Sequence, residues 1–327
     1  MINWGLIGCG AVTEVKSGPA YNVSGKSHLV GVTSRTLASA TDYASRHNVL
    51  KVFETPSAMI NSSSIDAVYI ATPPSSHLKL ALSVAQARKP CCIEKPISIN
   101  HAEAIAIAKA FSDNGIPLFI AYYRRSLPRF QAIKSWILDG KIGDVRHIHW
   151  SLTRRPTKND INHSFGWRTE PQEAPGGYFD DLACHGLDLF DFYFGPIMAA
   201  NGQTLNQQKL YSVPDSFSGT WLHETGVTGS GYWNFASFER SDEVRVIGSH
   251  GKITFSMFAD ESIKCITAGG IEKLDIKHPK HLHKFHVENI ISHLEGHSTH
   301  PSTGESAMRT AWVCEQILGS RNSSAKH

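Results

Sequence analysis

The chain opens on an apolar run, Ile2 to Ile7, that ends in Gly8-Cys9-Gly10-Ala11-Val12-Thr13, the pattern of a strand running into a glycine turn and then a helix. A second β-like run covers His28 to Ser34, helical spacing follows through Ala38, Tyr43 and Ala44, and a short strand lies around Val49 to Phe53. Asp66 to Ala71 is almost wholly apolar, as a strand covered on both faces of a parallel sheet must be, and Thr72-Pro73-Pro74 stops it. A helix from about Ser76 to Ala87 leads to a fifth strand at Cys91 to Glu94. Asn100, with Glu103 three residues on, opens a helix to Asn114, and Pro117 to Tyr122 gives a sixth strand. This alternation predicts a doubly wound α/β domain with a parallel sheet over residues 1–122.

After about Tyr123 the texture changes. A helix near Pro128 to Leu138 and the turn Gly140-Lys141-Ile142-Gly143 precede longer alternating segments. These are Val145 to Arg154, Phe217 to His223, Gly229 to Phe238, Glu243 to Ile247, Lys252 to Phe258, Ser262 to Thr267 and Ile271 to Ile276. They read as one large, open, mostly antiparallel sheet in an α+β domain over residues 123–327, with a frayed polar end from Ser320 to His327. Face residues such as Trp221, Trp233 and Phe235 would leave an apolar patch too broad for a monomer, so a homodimer or homotetramer through this sheet is expected.

Composition narrows the classes. With 327 residues, 41% of them hydrophobic, the chain can bury two cores. Lys plus Arg number 32 against 29 for Asp plus Glu, a net +3 without clustering, which argues against nucleic acid as a partner. No apolar stretch approaches the ~18 residues of a membrane span, and Met1 to Val15 offers no basic residue to open a secretory signal, so the expected address is cytoplasmic and no membrane partner is expected. The six cysteines, Cys9, Cys91, Cys92, Cys184, Cys265 and Cys314, contain no C-x-x-C pair and read as reduced thiols. Seven histidines fall between His278 and His300; His286, His293 and His297 have helical spacing and read as the polar face of a late helix, with no metal expected.

Two places carry chemistry. Gly8-x-Gly10 follows a strand and opens a helix, where glycines let the backbone approach a pyrophosphate and the helix end supplies amide donors, although Thr13 replaces the usual third small residue. At the end of the second strand stand Ser34-Arg35-Thr36, with no carboxylate to accept from a ribose 2′-hydroxyl and a guanidinium suited to a 2′-phosphate, so NADP is favoured and NAD remains possible. Glu94-Lys95-Pro96 ends the fifth strand at the carboxyl edge of the sheet, where a lysine ammonium would enter the ligand crevice. In the segment from Gly176 to Asp188, Asp181 and His185 stand four apart, on one helix face. An aspartate beside an imidazole makes a proton carrier near neutral pH. The same pair, with Cys184 nearby, could instead ligate a metal.

The set GLIGCGAV, ATPPSSH, CIEKP, DGKIGDV, FGWR, EAPGGYFDDLACHGLDL, GSHGKI and HPSTGESA resembles the glucose-fructose oxidoreductase, inositol dehydrogenase and rhizopine-catabolism (Gfo/Idh/MocA) family along the whole chain. The resemblance implies an N-terminal Rossmann domain for a nicotinamide cofactor and a C-terminal domain that supplies substrate contacts and subunit interfaces. It implies Lys95, Asp181 and His185 as catalytic residues, with Gly8, Cys9, Gly10, Ala11, Val12, Ser34, Arg35, Thr36, Thr72, Pro73, Pro74, His77, Glu94 and Lys95 around the cofactor. His77 could equally cap its helix. Tyr122, Trp167, Arg168 and His185 fall to the substrate, and Arg168 could also bind the cofactor phosphate or hold its own loop by an ion pair. Trp167-Arg168 is similar to the W-R of the 1,5-anhydrofructose reductase and dihydrodiol dehydrogenase branches, which use NADP. The expected reaction is hydride transfer to or from a hydroxyl or carbonyl carbon of a carbohydrate-like substrate. The alternatives are a redox-assisted lyase or hydrolase that retains its cofactor, and a catalytically silent NADP-binding sensor.

Overall fold

The computed structural model describes residues 1–22 and 25–319, so the frayed end expected at Ser320 to His327 lies outside the described residues. The chain divides into two compact units: Met1–Leu127 with Pro279–Met308, and Pro128–His278 with the stretch from Arg309 on. In the first unit the elements are β1 (Ile2–Ile7), α1 (Ala11–Val15), β2 (Ser27–Thr33), α2 (Leu37–His47), β3 (Lys51–Val52) and α3 (Pro56–Ile60), then β4 (Ala67–Ile70), α4 (His77–Gln86), β5 (Cys91–Ile93), α5 (His101–Ser112) and β6 (Leu118–Ile120). The strands form one parallel sheet in the order β3-β2-β1-β4-β5-β6, whose order reverses beside β1. Side-chain caps start three of its helices: Thr36 accepts from Ser39 N, Thr55 from Ala58 N, and Asn100 from Glu103 N at 2.8 Å. Every residue of β4 is buried, which is why its sequence is a continuous apolar run.

The second unit contains α6 (Pro128–Leu138), β7 (Val145–Thr153), α7 (Lys158–Ile161), α8 (Tyr178–Phe194), β8 (Ile197–Leu205), β9 (Ser216–His223), β10 (Thr228–Asn234), β11 (Ser241–Gly248), β12 (Gly251–Phe255), β13 (Ile263–Thr267) and β14 (Gly270–Leu274). Among the described residues its sheet has eight strands, β14-β13-β12-β11-β7-β10-β9-β8, all antiparallel neighbours except the parallel pair β7 and β10. Strand β8 was not anticipated: it lies at the edge with only Ile197 buried, so it carries no apolar alternation.

One face of this sheet is covered by α8, and here an expectation is corrected. Trp221, Trp233 and Phe235 are 4%, 0% and 0% exposed, buried within the unit itself. Phe190 of α8 stacks on Trp221 at 5.8 Å, and Phe179 meets Trp233 edge to face at 5.2 Å. The aromatics therefore close a core and present no patch. The opposite face carries Leu222, Tyr232 and Ile247 at 42%, 41% and 38% exposure.

The single division at residue 122 is also corrected, because the chain returns to the first unit with Pro279–Met308. Helix α9 (Lys284–Leu294) puts Val287, Ile290 and Ile291 into one core with Trp4, Leu6, Tyr21, Leu29 and Tyr69. Helix α10 (Gly304–Leu318) then runs through the division at Met308. The histidine stripe is redistributed by this return. His286 is fully buried against His300 and Cys92, while α9 ends at Leu294 and leaves His297 beyond it. Among the described residues no group of three or more His, Cys, Asp or Glu is placed to hold a metal, and no helix is long and apolar enough to cross a membrane. Ile290→Ala, which empties a fully buried site in α9, should lower unfolding free energy by ~2–5 kcal/mol, read as a reduced urea midpoint. An unchanged midpoint would remove α9 from this core.

Candidate active site

The turn after β1 is shaped by two glycines of different function. Gly8 has φ +104°, and a Cβ there would stand 2.7 Å from the carbonyl oxygen of Ala71 at the end of β4. Gly10 is the N-cap of α1, without a side-chain cap, and a Cβ there would meet nothing within 4 Å. The open space over an uncapped helix end fits the pyrophosphate of a dinucleotide. Thr13 is absorbed locally: its hydroxyl donates to Gly10 O at 2.8 Å, and its own carbonyl accepts from Tyr43 Oη at 2.9 Å. Ala11 and Val12 form the first turn of α1.

The end of β2 meets this turn. Cys9 lies beside Ser34, and burial pushes its thiol up to about 11, so it is a neutral neighbour of the turn. Arg35 is exposed, while Thr36 spends its hydroxyl on capping α2. The acid of α1, Glu14, accepts from Arg46 at 2.6 and 2.9 Å and from His47 at 2.8 Å. The Arg46 guanidinium holds that carboxyl down to about 2. Its charge is thereby compensated beside a site expected to take phosphates.

At the carboxyl ends of β4 and β5, His77 behaves as a strut. It is fully buried, with Nε2 2.8 Å from Thr72 O and Nδ1 3.1 and 3.2 Å from the carbonyls of Pro96 and Ile97. It ties the loop after β4 to the loop after β5, with protein partners at both ring nitrogens. Burial lowers its basicity. Thr72 is half-buried and accepts from Ser76 Oγ at 2.6 Å; Pro73 is exposed and Pro74 buried.

Glu94 is buried. Its Oε1 accepts from Tyr69 Oη at 2.6 Å and lies 3.4 Å from His283 Nε2, and its Oε2 accepts from Lys95 N at 3.2 Å. Burial pushes this carboxyl up against the pull of the Lys95 charge. Lys95 is half-buried and is followed by a cis bond to Pro96. Tyr122, expected to end a strand and face a cleft, instead follows the end of β6 at Ile120 and is 1% exposed. Tyr69 and His283 were missed as partners of Glu94. They lie 25 residues before it and in the returning segment, so no local motif marks them.

In the second unit, α8 carries Asp181 and His185 four residues apart, both buried. The carboxylate accepts a 2.6 Å charge-assisted bond from Arg168 Nε, and the Arg168 guanidinium lies 4.4 Å from the ring of Trp167. Of the roles open to Arg168, the structure displays the ion pair. The next residue of the helix, Gly186, lies against Trp150 of β7: a Cβ there would stand 2.3 Å from the indole. Phe258, after β12, holds its ring 5.9 Å from that of His185.

Comparison with known proteins gives these residues a context. Residues 2–122 match the family described as the oxidoreductase family with an NAD-binding Rossmann fold, and residues 130–254 match the GFO/IDH/MocA C-terminal domain. Among curated relatives, Oxidoreductase P35 of Formosa agariphila is 35% identical over 97% of this chain and 98% of its own. The 1,5-anhydro-D-fructose reductase of Ensifer adhaerens is 24% identical over 93% of this chain and 92% of its own. Levoglucosan dehydrogenase, solved in complex with NADH and levoglucosan, superposes with a TM-score of 0.85 at 20% identity, covering 97% of this chain and 96% of that one, a likeness of fold. Gly8→Ala should cost ~1–3 kcal/mol of stability through its backbone conformation alone. Thermal melting should show this together with weaker retention of a nicotinamide dinucleotide, and a wild-type melt would show that the turn tolerates a side chain.

Proposed function

Because this chain belongs to the GFO/IDH/MocA oxidoreductase family, we propose that it moves hydride between NADP(H) and a hydroxyl- or carbonyl-bearing carbon of a sugar or cyclic polyol. The observation that carries the reading is the pairing of an open glycine turn after β1 with a lysine directly after β5, on the carboxyl edge of one sheet. Relatives named inositol 2-dehydrogenase and 1,5-anhydro-D-fructose reductase support the substrate class. The choice of NADP rests on the absence of a carboxylate in Ser34-Arg35-Thr36 and on the exposure of Arg35.

The nicotinamide supplies or takes the hydride when bound. Lys95 donates a hydrogen bond from its ammonium to the reacting oxygen, and His185 gives or takes the proton of that oxygen. Asp181, held by Arg168, stands four residues from His185 on α8, where its role is to position that ring. Trp167 and Arg168 border this pair. We propose that a homodimer or homotetramer would use the outer sheet face of Leu222, Tyr232 and Ile247 in place of the buried tryptophans, which is supported by the exposure of these three side chains. A cytoplasmic address is supported by six cysteines that form no disulfide.

Arg35→Ala removes a charge-assisted phosphate contact worth ~1.5–3 kcal/mol and should weaken NADP binding about ten- to a hundredfold, with little change for NAD. Fluorescence titration with both cofactors checks this; equal losses, or tighter NAD binding in the unmodified protein, would reverse the cofactor assignment. Lys95→Ala and His185→Ala should each lose ~10²–10⁴-fold in turnover while NADP still raises the melting temperature. Asp181→Asn should lose less and shift the pH profile, because the amide removes the charge and keeps a hydrogen-bonding oxygen. Turnover untouched in His185→Ala would reject the proton role outright.

A further inference from the structure

A cavity of about 680 Å³ lies in the second unit beside α8, with Leu152, Leu182 and Phe258 in its wall and Arg154, Arg155 and Arg240 around it. Two of its residues bear on the proposed proton carrier: Leu182 sits between Asp181 and His185 in α8, and the Phe258 ring is 5.9 Å from the His185 ring. Arg154 follows β7 directly, and its guanidinium is 3.8 Å from the centroid of Tyr178 and 5.3 Å from that of Phe235. Its Nε and Nη2 are buried and have no hydrogen-bond partner among the described residues. Aromatic faces fix the plane of a guanidinium and accept none of its in-plane N–H bonds, so the donors keep their direction and lack their acceptor.

The acids of the cavity do not fill that role. Asp242 accepts from Trp150 Nε1 at 3.1 Å, from Ser256 Oγ and from Phe258 N at 2.8 Å, so its oxygens serve the wall. Glu261 is exposed. Among the described residues, none of Arg154, Arg155 and Arg240 forms an ion pair. Arg155 does donate from Nε to Phe238 O at 2.8 Å, which leaves the rest of its fork and all of Arg240 for a ligand. The cavity thus joins an apolar wall to a cationic rim of three arginines.

We propose that this cavity binds a carboxylate carried by the substrate, so that the preferred substrate is an acidic sugar rather than a neutral one. The inference rests on the oxidoreductase reading and names the substrate class of the same site. A planar carboxylate matches the planar fork of an arginine, and Arg154, Arg155 and Arg240 together supply the charge that draws it in. Sulfate and phosphate esters share the oxyanion chemistry but are tetrahedral.

The test uses the full chain saturated with NADP. Calorimetry compares D-glucuronate with D-glucose and D-galacturonate with D-galactose, with glucose 6-sulfate and glucose 6-phosphate as further arms, while nicotinamide absorbance follows turnover. The acids should bind at least tenfold more tightly than their neutral partners, with the gap shrinking at high salt. Arg154→Met should collapse the acid-to-neutral ratio and Arg154→Lys should restore it in part. Acids binding no better than neutral sugars, or a ratio unaffected in Arg154→Met, would overturn the proposal; tighter binding of the sulfate or phosphate ester would overturn its assignment to carboxylate. Should Arg154→Met fail to fold, as its melting curve would show, the exposed Arg240→Ala carries the test: its ratio should fall at least threefold, and an unchanged ratio overturns the site. Turnover of neutral sugars without acid preference rejects the cavity and leaves the oxidoreductase. Acid binding without cofactor reduction by any sugar rejects the oxidoreductase and leaves the cavity.

Discussion

The indole of Trp150 occupies the space that any side chain at position 186 would need, and the second unit is organised by that contact. Trp150 stands on β7, the strand shared by β10 and β11, so a helix that can come down onto its ring is brought onto the middle of the sheet. Glycine in a helix interior costs stability, about 1 kcal/mol relative to alanine. Here the closeness it permits aligns His185, its neighbour, with the same sheet face. The indole nitrogen bonds Asp242, Asp242 accepts from the amide of Phe258, and the Phe258 ring lies against His185. One ring therefore sets helix depth and, through the half-buried carboxylate of Asp242, the wall beside the proposed proton carrier.

The first unit has a different organising element, a buried carboxyl group. Glu94 sits under the carboxyl edge with Tyr69 donating to it, and the nearby imidazole of His283 does not balance it electrically. Burial, with Lys95, Lys16 and Arg124 around it, pulls His283 down to about 3, so this ring is neutral at physiological pH. Lys95 remains as the charge that opposes the cost of burying Glu94. The lysine proposed for the chemistry thus directly follows a desolvated carboxyl group, and His77 fixes the loop that follows it to the loop after β4.

What could be read in the sequence follows from how local the physics is. The parallel sheet was legible because strands buried on both faces cannot hide, and because Asn100 announces its helix by the side-chain oxygen it spends on capping. Gly8, Gly10, Lys95, Asp181 and His185 were legible as motifs. Edge strand β8 was not, since a strand with one buried residue leaves no alternation. The partner of Asp181 lies 13 residues away in a short 3-10 turn, where spacing favours no one interaction over another. Trp221 and Trp233 misled for a related reason: alternation reveals that two faces differ and is silent about which one a helix will cover. The return of residues 279–308 was invisible because α9 is an ordinary amphipathic helix, equally suited to either sheet by its own pattern.

That return sets an order of assembly on the ribosome. A nascent chain ending near residue 127 holds all six strands of the parallel sheet but lacks Val287, Ile290 and Ile291, so the core around Trp4, Tyr21 and Tyr69 is missing part of its cover. The buried Glu94 then also lacks the aromatic wall that α9 and its preceding residues bring with His283. The first half to emerge is thus the last to be completed, and about 150 residues of the second unit must be synthesised while an apolar sheet face waits in contact with solvent or a chaperone.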